Sequence, residues 1–81
     1  MEVRVLVFAT LIDRVGSKEV TVEVADDATV GDLKNQMVES WPDLAGAMDT
    51  IATAVNMTYV KQDHRLSADD EVALIPPVSG G

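Results

Sequence analysis

Two stretches of strict apolar alternation, both built on valine, limit what this chain can fold into. Val3, Val5 and Val7 alternate with Arg4, Leu6 and Phe8, and Val20, Val22 and Val24 alternate with Thr21 and Glu23. A side-chain period of two marks a strand whose successive residues face opposite ways, and β-branched valine suits a pleated surface. Residues 2–9 therefore read as one strand and residues 18–24 as a second. The first is apolar on both faces, as in a central strand or one that carries a contact surface. The second is apolar on one face only, so one side is buried and the other wet. Between them Leu11, Ile12 and Val15 have helical spacing, enough for one turn, and Gly16-Ser17 is a turn signal. The two strands read as a hairpin with a long connection.

The period then changes. Val30, Leu33, Met37 and Trp41 recur at helical spacing, while Asp32, Lys34, Asn35, Gln36 and Glu39 lie on the remaining surface. Thr29 can cap this helix, with Asp32 reaching back as an aspartate version of the capping box, and Pro42 stops it. Met37 and Trp41 read as core residues rather than cofactor ligands. Leu44 to Met48 offers a further short turn. Ile51 to Val55 reads as a strand, Asn56-Met57 as a turn and Thr58 to Lys61 as a brief return strand. Asp63-His64-Arg65 forms a polar loop that Leu66 anchors, and Asp69-Asp70 leads into a last strand from Glu71 to Ile75. Pro76-Pro77 ends that strand and stiffens the start of the C-terminal segment. A hairpin, a helix across the sheet and a final strand returning beside the first make an α+β, β-grasp arrangement. The sheet is mixed, with about five strands and one main helix. The domain is expected to span residues 1–75, with residues 76–81 as a flexible tail.

Eighty-one residues suit one small domain, and with Phe8, Trp41 and Tyr59 as the only aromatics its core must be largely aliphatic. The chain has no cysteine, which removes disulfides, zinc-thiolate sites and thiol nucleophiles together. No run approaches the ~20 apolar residues of a membrane span, and the first residues read as a strand rather than a leader. A soluble, cytoplasmic protein is expected. Fourteen acidic against six basic residues give a formal charge of −8. Such a surface repels phosphate backbones, which argues against nucleic acid, and favours basic grooves on other proteins. The plainer account of the acidity is solubility or adaptation to salt.

Side chains offer little chemistry. His64 is the only histidine, which leaves no His-His metal pair, and a loop histidine is most simply solvated. Ser17, Ser40, Ser67 and Ser79 fall at turns or ends, where serine forms local hydrogen bonds. Asp69-Asp70 resembles an acidic dyad, but neighbours leading into a strand point apart, and a turn explains the pair. The remaining feature is the ending Pro76-Pro77-Val78-Ser79-Gly80-Gly81. A Gly-Gly end arises by chance about once in 200 at a glycine frequency of ~7%, so the pair alone is weak and a frayed end explains it. The context adds weight. Two prolines project the segment from the last strand, and its final residues have no side chains to obstruct a narrow channel. Such an end can bring a bare carboxylate to ATP in another protein's active site. Adenylated there, it becomes an acyl group open to a sulfur nucleophile.

The segments Val5-Leu-Val-Phe-Ala9, Val15-Gly16, Thr29-Val30, Ala54-Val-Asn56, Asp70-Glu-Val-Ala73 and Pro76-Pro-Val-Ser-Gly-Gly81 carry a family resemblance. The chain resembles the small subunit of molybdopterin synthase (the MoaD family), within the ubiquitin-like β-grasp group that includes the thiamin sulfur carrier ThiS. The proline-led Gly-Gly ending is the most specific element, since a fold alone says little about function. The resemblance implies that the chain is not an enzyme by itself and binds no cofactor. A ubiquitin-activating-like adenylyltransferase (MoeB-like) would spend ATP to adenylate Gly81. A sulfurtransferase or cysteine desulfurase system would convert the adenylate to a thiocarboxylate. Gly80 would give clearance as the tail enters the large catalytic subunit (MoaE-like) and donates sulfur to cyclic pyranopterin monophosphate. Two deliveries would complete the dithiolene of the molybdenum cofactor, in a heterotetramer of two small and two large subunits.

Alternation also suggests where the partner docks. If Val3, Val5, Val7, Val72 and Leu74 face the helix, then Leu6, Phe8, Ala73 and Ile75 lie on the opposite face, with Tyr59 beside them. That patch, continued by Pro76, Pro77, Val78 and Ser79, reads as the partner-binding surface. The competing account is that another element covers it, or that the register is off by one. Three other functions stay open. The chain could be an archaeal-type ubiquitin-like modifier forming isopeptide bonds through Gly81, a carrier for thiamin or tRNA thiolation, or a plain adaptor with an incidental ending.

Overall fold

A computed structural model of the chain describes residues 1–77. The valine alternation appears as strand β1 (Glu2–Val7), whose Val3, Val5 and Val7 are buried, and strand β2 (Glu19–Glu23), which pairs with it antiparallel. Helix α1 (Thr10–Val15) fills their long connection, and Gly16 ends it in the left-handed conformation at φ 89°. Helix α2 (Val30–Ser40) follows, then two 3-10 turns (Pro42–Leu44 and Met48–Thr50). Strands β3 (Ala52–Val55), β4 (Thr58–Val60) and β5 (Glu71–Ile75) complete a five-stranded sheet in the order β2-β1-β5-β3-β4. β5 runs parallel to β1, and every other pairing is antiparallel, so the sheet is mixed, as expected from the sequence.

One face of the sheet supplies the core. Val3, Val5, Val7, Val72 and Leu74 pack with Val30, Leu33 and Met37 of α2, and Leu11, Leu44, Met48 and Leu66 close the ends. Val22 is buried, but Val20 and Val24 are only half-buried because β2 forms a sheet edge.

The start of α2 is fully satisfied. Thr29 Oγ1 accepts from the Asp32 N–H and Asp32 Oδ2 accepts from the Thr29 N–H, which is the capping box read from the sequence. The Val30 and Gly31 N–H groups donate to the carbonyls of His64 and Gln62, both at 2.9 Å. These free donors of a first turn would otherwise need water, so the polar loop ties the helix to the sheet. Pro42 does end α2, and it opens the 3-10 turn that brings Leu44 inward.

Several expectations need correction. β1 stops at Val7 rather than residue 9 because Ala9, at φ 52° and ψ −129°, turns the chain, and the Leu11 N–H closes onto the Phe8 carbonyl at 3.1 Å. That conformation is one glycine normally occupies. Strands β2, β3 and β4 are each one or two residues shorter than the sequence suggests. The turn expected at Leu44 to Met48 is split between the two 3-10 turns.

Lys34 is the main surprise. It belongs to the buried set, at 7% exposure, and its Nζ donates to the Ile51 carbonyl at 3.0 Å. Its stem continues the apolar stripe past Leu33 while its head finds a backbone acceptor, as long amphipathic side chains do. Burial holds its pKa below the usual lysine range, and nearby Asp49 partly opposes that shift.

Both buried polar groups bear on stability. Thr53 is 4% exposed, and its Oγ1 has no hydrogen-bond partner. Thr53→Val, nearly isosteric, should raise stability by about 1 kcal/mol in urea denaturation, with a midpoint about 4–8 °C higher on heating. An unchanged or lower stability would mean that the hydroxyl is satisfied in solution. For Lys34, the unfolded chain binds the proton more tightly than the folded one. Between the lowered folded pKa and the ordinary 10.5, stability should therefore rise with pH through this group. Denaturation of the parent chain and of Lys34→Met across that window should show the parent gaining relative to the variant.

Candidate functional site

The outward face of the sheet divides into a polar half and an apolar half. The register sets Arg4 opposite Thr21 and Glu71, and Leu6 opposite Glu19 and Ala73. Arg4 Nη2 lies 3.0 Å from Glu19 Oε1 and 3.5 Å from Glu71 Oε2. The hydrogen bond and charge of Glu19 hold its guanidinium firmly protonated, with Glu71 adding to the effect. Toward β4 the face becomes apolar. Ala73 stands opposite Ala54, and Ala54 opposite Tyr59. Together with Leu6, Phe8 and Ile75 these residues line an open groove of about 350 Å³. Phe8 is 44% exposed and Tyr59 69%. Leu6, Phe8, Tyr59 and Ile75 are thus brought together as expected, and no element among the described residues covers them.

Sequence reasoning missed three members of the groove, Ala54, Met57 and Glu71. Met57 is 91% exposed and sits in the hairpin turn at φ 72°. The left-handed region costs a residue other than glycine roughly 1–2 kcal/mol. The signal was an apolar residue in a two-residue turn, where a polar residue or glycine is usual.

Pro76 and Pro77 line a different and larger cleft of about 510 Å³, together with Ala9, Leu11, Arg14 and Ile51. Arg14 borders it while donating to the Asp43 carbonyl at 2.7 Å. Because β5 is parallel to β1, Ile75 and Phe8 emerge at the same end of the sheet, and the chain leaves between groove and cleft. Val78, Ser79, Gly80 and Gly81 lie outside the described residues.

The other candidates resolve as structural. His64 is exposed in its loop and uses its backbone to hold α2. Asp70 accepts from the Ser67 N–H at 2.8 Å and from Asn56 Nδ2 at 2.9 Å, so it builds the turn before β5. Among the described residues no group of three His, Asp or Glu side chains is placed to hold a metal ion. No helix among them is long and apolar enough to cross a membrane.

Similarity to known proteins runs the length of the chain. The ThiS family matches residues 5–81. A molybdopterin synthase sulfur carrier subunit from Chlamydomonas reinhardtii is 42% identical, covering 100% of both chains. One from Escherichia coli is 40% identical over 98% of this chain and 99% of its own. Among solved structures, SAMP1 from Haloferax volcanii superposes with a TM-score of 0.89 at 35% identity, covering 100% of both chains. Two more distant structures share the fold. They are a chain in the complex of subunits 1 and 2 of the Helicobacter pylori molybdopterin-converting factor (TM-score 0.71, 23% identity, 100% of both chains) and a Caldiarchaeum subterraneum ubiquitin (TM-score 0.68, 21% identity, 100% of this chain and 98% of its own). The fold is the ubiquitin-like β-grasp, and the chain belongs to the ThiS family, with molybdopterin synthase sulfur carrier subunits as full-length relatives.

Proposed function

We propose that this chain is the sulfur-carrier subunit of a molybdopterin synthase and that Gly81 carries the sulfur. The observation that carries the reading is a juxtaposition. An uncovered apolar groove ends at Phe8 and Ile75, where β5 leads into Pro76 and Pro77, from which the sequence runs on to Gly81. A partner that covers the groove receives that segment at the edge of its contact, which suits a carrier and its acceptor. The names of the full-length relatives support the same role.

The chemistry uses the Gly81 carboxylate and no side chain of this chain. One carboxylate oxygen attacks the α-phosphorus of ATP in an adenylyltransferase, pyrophosphate leaves, and an acyl-adenylate results. A sulfur nucleophile supplied by a sulfurtransferase or cysteine desulfurase system attacks the acyl carbon and AMP departs. With a cysteine persulfide of that system as the nucleophile the product is an acyl disulfide, and a second thiol of the system attacks its S–S bond, leaving the thiocarboxylate on Gly81 and a disulfide between donor and thiol. The large catalytic subunit then accepts this sulfur for cyclic pyranopterin monophosphate. The chain binds no cofactor in this scheme; ATP belongs to the activating enzyme. Residues 76–81 act as the tail and residues 1–75 as its handle. In this reading the assembly is a heterotetramer and the chain works in the cytoplasm.

Incubation with ATP, an activating enzyme and a sulfur source should add about 16 Da, the difference between sulfur and oxygen. Fragment masses must place the gain at Gly81, because oxidation of the exposed Met57 adds nearly the same mass. Deletion of Gly80-Gly81 should abolish it. The absence of any gain, with an activating enzyme competent on a control carrier, would overturn the reading. The runner-up reading is use as a protein modifier, the role that the name Small archaeal modifier protein 1 gives to an H. volcanii relative. Isopeptide conjugates through Gly81 in cell extracts, without pterin conversion, would establish that use instead.

The docking face has its own test. Phe8→Asp should weaken binding to the large subunit at least about tenfold in a titration, as loss of an apolar anchor does. Its melting midpoint should stay within about 2 °C of the parent, because Phe8 is 44% exposed and outside the core. Unchanged affinity would move the docking surface elsewhere.

A further inference from the structure

The β3–β4 hairpin holds Met57 against two costs at once. Val55 stands opposite Thr58, so Asn56 and Met57 alone make the turn. Asn56 is pinned to the start of β5. Its N–H donates to the Glu71 carbonyl at 2.9 Å, its Nδ2 donates to Asp70 Oδ1 at 2.9 Å, and its Oδ1 accepts from the Glu71 N–H at 3.0 Å. With Asn56 fixed at φ 51°, the turn carries Met57 to φ 72°. Positive φ at both central residues is the hairpin geometry for which Asn-Gly is the preferred pair. Methionine in the glycine position strains the backbone. Its side chain is also left 91% exposed, more than either Phe8 or Tyr59. Neither a turn preference nor a contact within the fold accounts for it, and strain of this kind collects at binding sites.

We infer that Met57 is an anchor of the docking face, inserting its side chain into an apolar socket on the large catalytic subunit. The inference rests on the sulfur-carrier reading. Met57 lines the same groove as Leu6, Phe8, Tyr59 and Ile75, so a partner seated on that groove covers it. The socket's chemistry is set by its surroundings. Glu71, which borders the groove, is paired with Arg4, so the charge that selects the partner is the chain's formal −8, and lysine or arginine side chains rim the socket. An unbranched, polarizable thioether adapts to the walls of such a socket better than a stiff branched side chain does. The extended sheet face gives breadth of contact, and Met57 adds reach at its β4 end, away from the segment that carries sulfur.

Three variants of the full chain test this: Met57→Gly, Met57→Ala and Met57→Leu, each by thermal unfolding and by titration with the large subunit. Met57→Gly should raise the melting midpoint by several degrees, because it relieves the turn, yet bind about tenfold or more weakly. Met57→Ala keeps the strain and loses the anchor, so its midpoint should stay near the parent while its affinity falls by a similar factor. Met57→Leu should bind within about threefold of the parent, as an apolar side chain of similar volume. Parent-like affinity for Met57→Gly would overturn the anchor and leave the carrier reading standing. Loss of both stability and affinity in that variant would make Met57 a fold contact and also overturn it. A parent chain that fails to bind the large subunit at all would remove both proposals together.

Discussion

The parallel ladder between β1 and β5 is the pairing on which the other features depend. It lies at the centre of the sheet, and its register sets Val5 beside Val72 and Val7 beside Leu74 on the core side. The same register sets Leu6 beside Ala73 on the outer side, so one pairing builds both the core and the floor of the groove. Slipping β5 by one residue against β1 would turn Val72 and Leu74 outward and Glu71, Ala73 and Ile75 into the core. The direction of β5 matters as much. Run antiparallel to β1, it would end at the Glu2 end of the sheet. Parallel, it ends beside Phe8, and the segment after Pro76 begins where the apolar surface does.

The partition of the outer face is electrostatic as well as apolar. Arg4 sits between Glu19 and Glu71 and pairs with both within the sheet, while the chain as a whole keeps a formal charge of −8. Exposed ion pairs of this kind contribute little stability. Their effect is to define the boundary of the groove, with an ion-paired polar strip on the β2 side and apolar side chains on the β4 side. An acidic surface around an apolar stripe complements a basic surface with a matching hydrophobic patch.

Much of this was legible in the sequence, and the reasons are local. The alternation of Val3, Val5 and Val7 fixes a face without knowledge of the partner strand, and the Thr29 and Asp32 spacing fixes a helix start from its own hydrogen bonds. The grouping of Leu6, Phe8, Ile75 and Tyr59 came from period two applied to three strands. What escaped was set by contacts distant in sequence. Lys34 is buried because the backbone at Ile51 passes over α2 and offers a carbonyl, which no helical wheel of residues 30–40 contains. β1 ends early because Ala9 takes a backbone conformation that its side chain disfavours. Met57 was readable as part of a turn, but its place in the groove required the twist that carries β4 alongside Ala54 and Ala73.

The buried core and the uncovered apolar groove occupy opposite faces of one sheet, and that separation has a physical consequence. Val3, Val5, Val7, Val72 and Leu74 lose all or nearly all of their exposed surface to α2 and its neighbours, so hydrophobic burial on the inner face holds the fold. Phe8, Met57 and Tyr59 keep much of theirs, so the free energy available from covering them is not released until a partner arrives. The strain at Met57 and the exposure of Phe8 are therefore carried by a core that does not involve them. A small domain can bear such costs only where the rest of its sequence is locally consistent. The satisfied N-terminus of α2, the turn built by Asn56 and Asp70 and the unbroken valine face supply that consistency. The outer face is then free to be shaped by what it binds.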